Sequence, residues 1–160
     1  MTKKIAIFML FAISVFSLAA CGSTAGGKNQ KDIEKADEVA YKFIVAQVEG
    51  DDDLFKKILV DEAQNILEKG HHAHPGAKNE MGERYQIKRY TNKYEDGKLY
   101  YYLKFYQPNL SEMQYMNVLL VKDDGQWKST KIRGIDSDEM KAGMGDEEPV
   151  TVHKFKDDSK

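Results

Sequence analysis

Residues 98–128 read KLYYYLKFYQPNLSEMQYMNVLLVKDDGQWK, and the fold is decided here. Segment 98–106 is dominated by aromatic residues, the composition of a strand. In 112–122 the apolar residues Met116, Val118, Leu119, Leu120 and Val121 run almost unbroken, which predicts a strand covered on both faces and central in its sheet. Pro108 and Asn109 mark a turn between the two. Asp124-Gly125 is a two-residue hairpin signal leading to a strand over 126–133. Upstream, Asp96-Gly97 repeats that signal and joins 98–106 to a strand over 83–94. Two antiparallel hairpins are the expectation.

The period changes before residue 70. Ile33, Ala36, Ala40, Phe43 and Ile44 fall at three- and four-residue spacings and form one helical stripe, which Gly50 stops. Asp51-Asp52-Asp53 supplies a cap acceptor and negative charge for a second helix, with Leu54, Phe55, Ile58 and Leu59 on its apolar face. Ala63, Ile66 and Leu67 continue that face to Gly70 after a break near Val60-Asp61. Segment 71–82 reads as a loop. Helices followed by strands define an α+β fold, with N-terminal helices packed on a curved antiparallel sheet of about four strands.

Eight of the nine tyrosines lie in the first three strands, and only Tyr41 lies outside them. A two-residue turn at Asp96-Gly97 sets Tyr90 opposite Leu103 and Asn92 opposite Tyr101, so these share the core face with Phe105. The other face then carries Arg89, Tyr100, Tyr102, Lys104 and Tyr106. Rigid rings interleaved with cations are common at contact surfaces, so these five are the expected partner surface. A bulged turn would exchange the faces.

The N-terminus has Lys3 and Lys4, an apolar run from Ile5 to Phe16 broken by Ser14, and then Leu18-Ala19-Ala20-Cys21. This order resembles the bacterial lipobox, in which the cysteine receives a diacylglyceryl group and the chain is cut just before it. The resemblance implies a signal peptide over 1–20, cleavage between Ala20 and Cys21, and a lipid anchor on Cys21 outside the cytoplasm. Cys21 is the only cysteine, so no thiol remains for a disulfide or a nucleophile. Removing residues 1–20 takes away two lysines and no acid, so 24 basic and 26 acidic side chains become 22 and 26. That mildly acidic balance gives no reason to expect nucleic acid. Segment 21–30 reads as a flexible tether, 31–136 as one domain, and 137–160 as a mostly disordered charged tail in which Val150, Val152 and Phe155 are candidates for a short edge strand.

Ala-Asp-Glu-Val-Ala-Tyr-Lys-Phe at 36–43, Glu-Gly-Asp at 49–51 and Asp-Asp-Gly-Gln-Trp-Lys at 123–128 together resemble the cone-shaped nuclear-transport-factor-two-like superfamily, as found in small bacterial lipoproteins. That family implies helices over a curved sheet enclosing a cone, and some of its members are enzymes. A cystatin-like roll fits the same order of elements.

Tyr41, Phe43, Tyr101 and Leu103 are the candidates to line such a cone. No acid/base motif, serine elbow or phosphate-binding loop accompanies them, so the expectation is a non-enzymatic binding module without a cofactor, whose partner is a protein, a peptide or an apolar ligand. A small-molecule cone with specialised activity is the alternative. His71, His72 and His74 suggest metal handling as a third reading, but Pro75, Gly76 and Gly82 place them in a loop rather than a fixed site.

Overall fold

The computed structural model describes residues 27–69 and 72–157. Helix α1 spans Gly27–Glu49, beginning within the expected tether. Ile33, Ala36, Ala40, Phe43, Ile44 and Val48 form its buried stripe. Asp51 then caps α2 (Asp52–Ile58), accepting from the Leu54 amide at 2.9 Å. The expected break falls at Leu59–Val60, where Leu59 bridges Ser129, and α3 (Asp61–Gln64) with a 3-10 turn (Asn65–Lys69) follows. The loop before the sheet is more ordered than its composition indicates, because Ala77 and Met81 bury one side of a short helix, α4 (Ala77–Met81).

Five antiparallel strands form the sheet: β1 (Tyr85–Tyr90), β2 (Lys98–Gln107), β3 (Glu112–Asp123), β4 (Gln126–Ser129) and β5 (Val150–His153). Their order is β4-β3-β2-β1-β5, and the sheet stays open. Asp124 and Gly125 both have positive φ, 47° and 75°, as a type I′ hairpin turn requires, and Asp123 pairs with Gln126. The first four helices cover one face over a core of Phe43, Phe55, Leu103, Phe105 and Leu120.

The tail departs from expectation. Segment 137–160 contributes an eight-residue helix, α5 (Ser137–Met144), as well as β5. Apolar content alone under-reads it because polar groups fasten it. Asp136 caps α5 by accepting from the Asp138 and Glu139 amides at 3.0 and 2.8 Å. Backbone hydrogen bonds hold the Asp136 carboxyl below its ordinary range. Glu147 accepts from the amides of Thr91 and Asn92, and His153 stacks on Tyr85 at 3.8 Å between ring centres. Helix α5 lies on the second face of the sheet over Tyr100, Leu119 and Ile135. Hence β3 is covered on both sides, as its unbroken apolar run predicts.

The β1–β2 connection also departs. The link is not a two-residue turn but runs from Thr91 to Gly97, with a 3-10 turn at Tyr94–Asp96 and Gly97 at φ 68°. Tyr90 therefore pairs with Tyr100, not Leu103. An odd shift sends every β1 side chain to the opposite face.

Candidate interaction surface

Arg89 is the residue most affected by that shift. It lies on the core face, 7% exposed, and pairs with the Asp37 carboxylate, which also accepts from the Tyr101 hydroxyl at 2.9 Å. Burial pushes the Asp37 carboxyl above its ordinary value although Arg89 and Tyr101 pull it down. Burial and the neighbouring carboxylate drive the Tyr101 phenol far above its usual range, so Tyr101 is a permanent donor here. Arg89 is thus a buried structural cation and not part of a partner surface.

Tyr100 is also withdrawn from the surface. It is 7% exposed beneath α5, whose Gly143 lies flat against its ring. The remaining expected members, Tyr102, Lys104 and Tyr106, are partly exposed on the same side of β2, although Tyr106 also packs against the helix-side core. Tyr102 lies 6.5 Å from Tyr115 between ring centres. The Lys104 ammonium sits 5.8 Å from the centre of Tyr115 and 4.9 Å from that of Phe155. The Arg84 guanidinium lies over Tyr106 at 3.6 Å. Tyr115 and Leu110 are 58% and 60% exposed, unusual for such large side chains, and both belong to the β2–β3 hairpin. Each cation rests on a ring, which fixes long side chains in place and lowers the entropy lost on docking.

The four residues proposed to line a cone do not form one cavity. Phe43, Tyr101 and Leu103 are fully buried in the core, where Phe43 meets Phe55 edge-on at 5.8 Å. Tyr41 instead lines a shallow cleft of about 350 Å³ with Glu34, Asp37, Tyr85 and His153. Burial, with Tyr41 and Glu83 adding to it, pushes the Tyr85 phenol up to about 12. A second cleft, of about 330 Å³, opens between α1, α2 and the β3–β4 turn, with Leu54, Ile58 and Trp127 as floor and Lys35, Lys42 and Lys57 at the rim. Neither was visible in the sequence, since each joins residues far apart in the chain.

His72 and His74 are exposed, and among the described residues no group of three metal-ligating side chains comes together. His71, Ala20 and Cys21 lie outside the described residues. No described helix is long and apolar enough to cross a membrane.

Compared with protein-family models, with curated proteins and with solved structures, the chain matches none.

Proposed function

We propose that this chain is a lipid-anchored protein of the cell envelope that binds a protein partner through the open half of its outer sheet face. The observation that carries the reading is the exposure of Tyr115 and Leu110 beside Tyr102, Lys104 and Tyr106, on a face whose other half is sealed by α5. Its placement suits an anchor on Cys21. Five residues separate Cys21 from Gly27, a reach of about 20 Å, and the 23 residues of α1 add about 34 Å. Gln107 and Asn109 donate to the backbone of Gln47 and Val48 at the far end of α1, so the exposed hairpin lies at the end opposite the tether.

The test is crosslinking of the intact lipoprotein in its own cells. Tyr102→Ala with Tyr115→Ala, and separately Lys104→Glu, are expected to lose the neighbour recovered with the native chain; the Lys104 variant keeps the native unfolding midpoint, and the tyrosine pair lowers it while still unfolding cooperatively, because Tyr102 packs against the cluster under α5. Unchanged recovery by both variants refutes the surface. Cys21→Ala is expected to release the protein from membranes, and full membrane retention refutes the anchor.

A further inference from the structure

We infer that the outer edge of β3 at 113–115 receives an extended segment of the partner as an additional strand, a reading that rests on the partner surface proposed above. The parity of β3 carries the inference. In a two-residue hairpin the closing pair shares both hydrogen bonds, so Asp123 and every second residue before it aim amide and carbonyl toward the β4 side. Leu119 accepts from the Thr130 amide at 3.1 Å and Asn117 from the Ile135 amide at 2.7 Å, both on that side. The Lys122 amide donates to Gly97 at 2.9 Å on the other. Tyr115 and Met113 continue the outward set. Strand β4 ends at Ser129, and no described group bonds their main-chain atoms.

Sheets normally protect such edges with a covering segment, a bulge, a lysine or a proline. The β4 edge is covered, since the Val60 amide donates to Ser129 at 3.0 Å. The β5 edge is four residues long, with an irregular register against β1 and Lys154 and Lys156 just beyond it. Met-Gln-Tyr at 113–115, just short of the Ile135 bridge at Asn117, has none of these devices. Donor and acceptor pairs repeating at about 6.8 Å match another main chain and no small ligand. On the outer face the incoming side chains meet Tyr115 and Met113, backed by Lys104 and Tyr106 across the ladder. The segment that fits therefore alternates, with apolar or acidic residues on that face.

The test uses the full-length chain in detergent, with a probe peptide of about ten residues alternating valine and glutamate, and the same peptide N-methylated at alternate amides. In the free protein the Met113 and Tyr115 amides are expected to exchange on the order of 100-fold faster than those of Gln114 and Met116, which bond to β2. The probe is expected to slow them at least ~10-fold and the methylated peptide to leave them unchanged. Met113→Pro and Tyr115→Pro each remove one outward donor without touching the bonds to β2, and each is expected to abolish the protection. Slow exchange in the free chain, or equal effects of the two peptides, overturns the inference. Protection that needs no peptide and accompanies a sedimenting dimer overturns it in favour of a second copy of this chain. The peptide arm alters nothing in the protein, so it decides even where a proline variant fails to fold. If Tyr102 and Tyr115 variants lose the cellular neighbour but methylation has no effect, the face stands and the added strand falls. If methylation matters but the face variants keep the neighbour, the edge binds peptide and the partner surface falls.

Discussion

Gly143→Ala separates two effects that act in opposite directions at one position. A methyl group there would lie 2.0 Å from Cζ of Tyr100, 2.1 Å from Cε1 and 2.4 Å from Cε2. Carbon atoms in contact settle at about 3.5–4.0 Å, so α5 must lift by roughly 1.5 Å or the ring must leave its place between Leu119, Ile135 and Met140. Such overpacking costs about 1–3 kcal/mol, against about 1 kcal/mol gained from replacing glycine by alanine inside a helix. The variant is therefore expected to lose up to about 2 kcal/mol in urea unfolding, and trypsin is expected to cut faster after Lys141. Removing the ring reverses the sign. In a Tyr100→Ala background the same substitution is expected to be neutral or to stabilise by about 1 kcal/mol, a coupling that a double-mutant cycle measures directly. Stabilisation by Gly143→Ala in the native background, or a cycle that closes with no coupling, refutes the packing of α5 on Tyr100.

Arg89→Ala leaves the Asp37 carboxylate largely buried without its cation, and a loss of about 3–5 kcal/mol is expected in denaturant titration; a change under 1 kcal/mol refutes the buried pair. The two carboxylates on α1 are expected to show opposite pH linkage. Asp37 has a raised value, so the stability that native protein holds relative to Asp37→Asn is fully present below about pH 3.8 and declines as pH rises through its folded value. For Asp32 burial acts upward, but hydrogen bonds from Lys122 and Tyr94 outweigh it and hold the carboxyl below its ordinary value. Its advantage over Asp32→Asn is therefore present above about pH 3.8 and declines as pH falls through the folded value. Urea unfolding of both variants across the acid range checks the signs, and parallel slopes refute the assignment.

The sheet was legible wherever local chemistry settles the geometry. Asp124-Gly125 favours a two-residue turn that no described tertiary contact opposes, and Val118 to Val121 alternate between two buried faces, so β3 and β4 follow from short-range rules. Asp96-Gly97 carries the same dipeptide but is overridden by tertiary bonds: Glu147 binds the Thr91 and Asn92 amides, and Tyr94 donates to Asp32 at 3.1 Å. These contacts span dozens of residues and leave no local trace. Arg89 shows what the error does, since one misplaced turn puts a core cation on the surface. A hint was present in Asp37, an acid beside Ala36 and Ala40 at the margin of the buried stripe of α1, where an unpaired charge is costly. That Tyr102, Lys104 and Tyr106 share the side of β2 opposite Leu103 and Phe105 was legible from simple alternation, whereas the cover that removes Tyr100 comes from a segment whose composition reads as solvated.

The position of β5 has a bearing on the order in which the chain acquires its shape. Arg89 is bonded by Val150, about sixty residues later, so β1 stays an open template until nearly the whole chain is available. A ribosome stalled near Asp136, before α5 and β5 have been made, leaves both that template and the oily patch around Leu119 bare. Such fragments are expected to clump rather than persist as smaller soluble versions of the protein, and quality-control proteases have an obvious handle by which to tell finished chains from unfinished ones.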